Sequence, residues 1–269
     1  MKSLFNSLSI IAIVLFTLVS CTKDDIEPIG TSDKNNVSLE FDNLMGGQKI
    51  VLGSTTAKNA AGEDFTVTTL NYYVSNVSLK KVDGSSVEFK NQYFLVRQAD
   101  ATTLIQSLKD VPAADYKEVT FTIGVDSVKS ISPVEERTGV LDPAGFTDDG
   151  MYWSWNSGYI FMKLEGTSSA VPANAAGVRK YQYHVGGFGG RTSATANNLR
   201  TVTLALPTTM TVRKSVAPTI HFVADIAKVF SGTTTLKLAD APVIMSPALA
   251  TPIANNYKNM FIVDHVHND

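Results

Sequence analysis

His265 and His267, in the C-terminal stretch "MFIVDHVHND", stand at positions i and i+2. On an extended strand that spacing puts both imidazoles on one face, roughly 7 Å apart along the backbone, within joint reach of a single ion. Phe261 and Val263 precede them at the same phase, so one face is expected to carry all four side chains. The chain has only two other histidines, His184 in "YQYHVGG" and His221 in "PTIHFVAD". His221 alternates against Ile220 and Phe222 and so points away from them. His184 sits just ahead of a Gly-Gly turn. Each of these two, taken alone, reads as a structural histidine, and a solvent-facing pair is the plain alternative for His265 and His267. Imidazole suits copper or zinc. The four histidines are therefore the candidate ligands.

A rival ion site is acidic. Asp142, Asp148 and Asp149 in "LDPAGFTDDG" lack the spacing of a calcium-binding EF-hand and read as turn chemistry.

Both tryptophans, Trp153 and Trp155, lie one residue apart in "GMYWSWNSGYIFMKLEG". If that stretch is extended, both indoles share a face, and a core cluster with Tyr152, Tyr159 and Phe161 is the simplest use for them. Gly158 complicates this reading, because a glycine inside a strand marks a bulge or a close backbone approach. Patterns of established enzyme chemistry are missing: no G-x-S-x-G elbow, no HExxH, no phosphate loop between a strand and a helix, no CxxCH. An enzyme is not expected. The formal charge of −2 and scattered Lys and Arg leave no basic stripe, so nucleic acid is not an expected partner.

The chain that must position these residues opens as an exported one. Lys2, the apolar run "LSIIAIVLFTLV" and then "LVSC" read as a signal peptide over residues 1–20. Cys21 is the only cysteine and sits where a lipoprotein signal places the thiol that receives lipid. With several acyl chains attached, Cys21 is expected to hold the protein on the outer membrane, facing periplasm or cell surface. Residues 21–36 read as a polar tether and 37–269 as the folded domain.

Periodicity of two dominates that domain. Val37, Leu39 and Phe41 alternate, as do Val119, Phe121, Ile123 and Val125, and again Val202, Leu204 and Leu206. In "LNYYVSNVSLKKVDGSSVEF" the apolar phase slips between Val74 and Val77, which predicts a bulge, and Asp83-Gly84 predicts a hairpin turn. Helical pattern is confined to "ATTLIQSLKDV" and "ADIAKVFSG". The expected fold is all-β: one β-sandwich of mostly antiparallel strands, with long loops and one or two short helices.

The blocks "NYYVSNVSL", "FTIGVDS", "GVLDP", "GMYWSWNSGYIFMKLEG", "YQYHVGG" and "NYKNMFIVDHVHND" together resemble, in order and over most of the mature chain, the signature segments of the methanobactin-associated periplasmic protein (MbnP-like) family, in its Bacteroidetes lipoprotein form. The resemblance implies a secreted copper-binding β-sandwich in which a tryptophan is oxidised to kynurenine by a partner di-haem, peroxidase-like cytochrome. It assigns the modifiable indole to Trp153 or Trp155. In the related copper proteins of methane oxidisers the oxidised tryptophan joins two imidazoles at Cu(I), with one ligand histidine close to it in sequence. Here no histidine precedes His184, so any such site must be assembled by the fold. The expected function is copper binding for acquisition, storage or delivery. The alternative is a metal-free β-sandwich that docks with an outer-membrane or redox partner, its tryptophans acting as interface anchors.

Overall fold

A computed structural model describes residues 28–144 and 150–269. The expected signal peptide and Cys21 lie outside the described residues, as do Asp148 and Asp149. In chain order the strands are β1 (Lys34–Met45), β2 (Gln48–Lys49), β3 (Thr56–Lys58), β4 (Asp64–Thr66), β5 (Thr69–Lys81), β6 (Ser86–Arg97), β7 (Ile105–Pro112), β8 (Ala114–Ile123), β9 (Ile160–Thr167), β10 (Lys180–Gly186), β11 (Arg200–Val212), β12 (Thr219–Asp225), β13 (Val243–Ile244) and β14 (Phe261–His267). Two α-helices, α1 (Ser127–Ile131) and α2 (Pro247–Tyr257), complete the set. β1 opens at Lys34, so the last residues of the expected tether already belong to the folded domain.

The strands form an all-β sandwich. One sheet runs β14-β12-β1-β2, with β7 also paired to β1, and the other runs β11-β8-β5-β9-β10-β13, with β6 paired to β5. Most pairings are antiparallel, but β1 and β12 run parallel. That pairing joins segments distant in sequence, and it brings Glu40 opposite His221.

Alternation sets which side chains meet between the sheets. Val37, Leu39 and Phe41 of β1 are buried, as are Ile220, Phe222 and Ala224 of β12, while their neighbours turn outward. Phe41 stacks on Phe222 with ring centroids 5.1 Å apart, and Phe261 of β14 meets Phe121 of β8 edge-on, also at 5.1 Å. Such contacts each contribute about 0.5–1.5 kcal/mol beyond the area they bury. Between them they fix β14, β12 and β1 over the second sheet.

The bulge predicted between Val74 and Val77 is present: the β5–β6 register shifts between Ser75 and Val77, and Asn76 adopts φ +50°. The Asp83-Gly84 turn joins the same two strands, with Asp83 Oδ1 accepting from the Ser85 amide at 2.8 Å. The helix expected in "ATTLIQSLKDV" is not formed. Only Ala101–Thr103 makes a 3-10 turn, capped by Asp100, and Ile105 onward becomes β7, because its backbone completes the ladder along β1. "ADIAKVFSG" gives a single 3-10 segment, Ile226–Phe230, burying Ile226, Val229 and Phe230. Helix α2 has no helical signature in the sequence, since Pro247 and Pro252 disguise it. Pro247 stands at its first turn, where the missing N–H costs nothing.

Candidate metal centre

Three neighbouring strands each place one polar residue in a single cross-strand row on the outer face of the first sheet. Glu40 on β1 lies opposite His221 on β12, and His221 lies opposite His265 on β14. His267 follows two residues on. The phase of β14 makes this arrangement. The β12–β14 register shifts between His221 and Phe222, pairing Phe222 with Val263 and His221 with His265, which leaves Asp264 without an opposite residue. This is a β-bulge, and one extra residue flips every later side chain to the other face. Phe261 and Val263 therefore face the core, whereas His265 and His267 face out. The expectation that all four share a face is corrected by this single inserted residue.

The imidazoles converge. The rings of His221 and His265 stack with centroids 4.2 Å apart, and His267 stands edge-on to both, at 4.9 and 4.7 Å. One nitrogen from each of the three can be chosen so that all lie within 4.8 Å of one another. The Nε2 atoms of His265 and His267 are 3.0 Å apart. Nitrogens bound at about 2.0–2.1 Å in a tetrahedral set stand roughly 3.3–3.4 Å apart, so the stacked His221 and His265 rings, inclined by only 17°, must turn toward a common point for the three to hold one ion. The residues fit a transition-metal ion.

Neighbouring carboxylates orient the rings. His265 Nδ1 lies 2.7 Å from Asp264 Oδ2. An ionised carboxylate can only accept, so Nδ1 donates to it and Nε2 is the nitrogen turned toward His267. The bulge residue thus fixes the ring orientation of His265. His221 Nε2 lies 3.3 Å from Glu40 Oε2. Asp42, two residues along β1, joins Glu40 and His221 in a second potential ligand group and pairs with Lys49 at 3.2 Å. Beyond His267, Asn268 fastens the strand end to β11: its Oδ1 accepts from Thr211 N at 2.7 Å and its Nδ2 donates to Thr209 O at 3.0 Å.

His184 lies apart from this group, on β10 of the second sheet. It is buried, and its Nε2 sits 2.7 Å from Glu165 Oε1, while Lys180 Nζ reaches Glu165 Oε2 at 2.7 Å and Gln182 donates to Oε1 at 3.1 Å. Burial pushes the Glu165 carboxyl up, but these three partners together outweigh it and hold the group at about 2. For His184 the balance runs the other way: burial dominates over the Glu165 charge and lowers its pKa, favouring the neutral ring.

The tryptophan stretch is a turn rather than a continuous strand. Trp153 N donates to Gly158 O at 2.8 Å and Gly158 N to Trp155 O at 3.2 Å, with Tyr152 and Tyr159 bridged behind them. Gly158 takes φ +63°, which a side chain would resist. The indoles share a side because the turn folds them together, stacked at 4.9 Å and 28°. Trp153 packs against a secondary core that includes Tyr159 and Phe161, over Gly186, where a Cβ would stand 2.6 Å from its Cζ3. Trp155 is 47% exposed. Among the described residues no ring contact joins an indole to an imidazole.

The family model described as MbnP matches residues 34–246. The chain belongs to the MbnP family. Among solved structures, MbnP from Methylosinus trichosporium is similar, with 15% identity, 88% of this chain and 99% of that chain covered, and a TM-score of 0.53, a likeness in fold. No curated protein matches the chain in sequence. The segment matched to the MbnP family takes in Trp153, Trp155, His184 and His221 and ends before α2 and β14. Two of the three converging histidines therefore lie beyond it. The sequence pattern drew attention to every one of these histidines but not to Glu40 or Asp264, whose positions depend on a parallel strand pairing and a bulge.

Proposed function

We propose that the protein is a cell-envelope lipoprotein, anchored through Cys21 to the outer membrane, that binds copper through His221, His265 and His267 for acquisition, storage or delivery. The observation that carries this reading is the convergence of three imidazoles from β12 and β14 within 4.8 Å, one of them oriented by an adjacent carboxylate. Membership of the MbnP family favours copper among the ions that imidazole suits. Bound there, copper supplies a redox-active cation that can be passed on by ligand exchange, and an open sheet face gives a partner access to it.

Oxidation of a tryptophan to kynurenine by a di-haem, peroxidase-like partner is a separate part of the proposal. The exposure of Trp155 and its stacking on Trp153 support it, since an oxidant reaching the outer ring is in contact with the inner one. Copper binding here does not draw on that modification. His184, held by Glu165, is given a structural role and the protein no catalytic one.

Competition titration with copper tests the metal reading. One copper per chain is expected, with His221→Ala, His265→Ala and His267→Ala each weakening it and His184→Ala leaving it unchanged. A stoichiometry near zero at micromolar free copper contradicts the proposal. Intact mass of protein made alongside its native oxidant reads the tryptophan modification independently.

A further inference from the structure

Two ligand sets meet at His221. One is the trio of imidazoles; the other joins His221 to Glu40 and Asp42, all three partly buried, with one ligand atom from each within 4.8 Å of the others. We infer that Glu40, Asp42 and His221 form a second metal site, for a borderline divalent cation such as zinc, and that it competes with the copper site for His221. Only the competition rests on the copper reading above.

Register builds the second set. Leu39 and Phe41 of β1, each 1% exposed, turn into the core, so Glu40 and Asp42, at i and i+2, share the outer face. The parallel pairing with β12 sets Glu40 opposite His221 and Asp42 opposite Val223. β12 lies between β1 and β14, so the carboxylates approach His221 from one side and the other imidazoles from the other. Glu40 Oε2 stands 3.3 Å from His221 Nε2, close to the roughly 3.3–3.4 Å between two ligands of one tetrahedral ion. That gap is longer than the 2.7 Å contacts of Glu165 with His184 and of Asp264 with His265. Glu40 and His221 are spaced as co-ligands rather than as a close hydrogen-bonded pair.

A cation already attends the carboxylates: Lys49 Nζ lies 3.2 Å from Asp42 Oδ1, on a side chain 79% exposed. So exposed an ion pair contributes little, and a bound dication displaces it. Glu40 has no lysine or arginine partner among the described residues, so Lys49 balances only one of the two carboxylates. Carboxylate oxygen and imidazole nitrogen are both zinc ligands, and three protein ligands leave a position for water, the make-up of an open zinc site. Two carboxylates offer Cu(I) no soft donor, so the sets differ in the ion they prefer. A shared ring and the repulsion between neighbouring cations make joint occupancy unfavourable, and that coupling is reciprocal.

The test is zinc titration of the mature chain carrying His265→Ala and His267→Ala together, by equilibrium dialysis with metal analysis. One zinc per chain is expected. Adding Glu40→Gln or Asp42→Asn is expected to weaken it about tenfold or more, and adding Lys49→Gln to tighten it about threefold, a gain that damage to the fold does not mimic. In the parent, saturating zinc is expected to weaken copper about fivefold, and Asp42→Asn to remove most of that effect while keeping one copper per chain. No zinc in the His265→Ala, His267→Ala chain with its circular dichroism unchanged, or zinc that Glu40→Gln and Asp42→Asn both leave as it was, overturns the second site. Copper affinity indifferent to zinc, or equally affected in Asp42→Asn, overturns the competition alone. If the parent binds no copper, the copper reading fails and the zinc site is judged by its own titration.

Discussion

His265 and His267 hold their Nε2 atoms 3.0 Å apart on the open face of β14, although Phe261 and Val263, at the same sequence phase, face the core. Asp264 separates the two behaviours. It is the extra residue of a bulge and the hydrogen-bond partner of His265 Nδ1.

Deleting Asp264 removes the extra residue, so that His265 follows Val263 in regular alternation and His265 and His267 keep their outward phase opposite His221 and Thr219. Because Val263 and Val266 keep their core-facing positions and no imidazole is buried, the deletion is expected to cost no more than about 1 kcal/mol, read from urea unfolding. A loss of several kcal/mol would show that the bulge itself is needed to seat the strand end.

Asp264→Ala is gentler: it keeps the bulge and removes only the carboxylate. A carboxylate that orients a ligating imidazole affects metal affinity about 10–100-fold, so copper binding is expected to weaken by about tenfold with stability within about 0.5 kcal/mol of the parent. Competition titration and thermal melting check the two halves separately.

Acid stability is predicted to depend on the cluster around Glu165. With its folded pKa held at about 2, below the ordinary 4.5, the unfolded chain binds a proton first as pH falls. The Glu165 contribution is thus present above about pH 4.5 and is lost as pH drops toward 2. His184 acts in the same sense: its lowered pKa means that the unfolded chain protonates first below about 6.5. Glu165→Gln should flatten the stability profile between pH 7 and 3 and cost about 2 kcal/mol at neutral pH, the outcome of leaving a buried polar cluster half-satisfied. Copper stoichiometry should not move.

At Gly186 an added methyl meets Trp153 Cζ3 and Tyr159 O, both at 2.6 Å. Gly186→Ala is expected to cost about 1–3 kcal/mol by overpacking and to shift the indole emission as Trp153 is displaced from Trp155. Emission and stability both unaltered would mean that the turn has slack the geometry does not suggest.

The sequence makes the architecture legible where one face is apolar. Val37, Leu39 and Phe41 or Ile220 and Phe222 announce their strands, because alternate burial leaves a period of two, and the slip between Val74 and Val77 announces its bulge. The second bulge was hidden. "FIVDHVH" keeps a pattern that reads as uniform, since both phases contain valine, and only the pairing with β12 shows that Asp264 is supernumerary. Local pattern also failed at "ATTLIQSLKDV", where tertiary pairing to β1 overrides helical spacing, and at α2, where prolines conceal the helix. The histidines were visible as residues, but the pairing that unites His221 with His265, and seats Glu40 beside them, belongs to the sheet.

One ion held between β12 and β14 is the arrangement proposed for the three imidazoles. The most direct measurement is an anomalous difference map, collected at the copper absorption edge, from crystals of the protein loaded with one equivalent of copper. A single peak within bonding distance of His221, His265 and His267 is the predicted result. A peak at His184 or at the tryptophan pair instead, with no density between the three imidazoles, would contradict it.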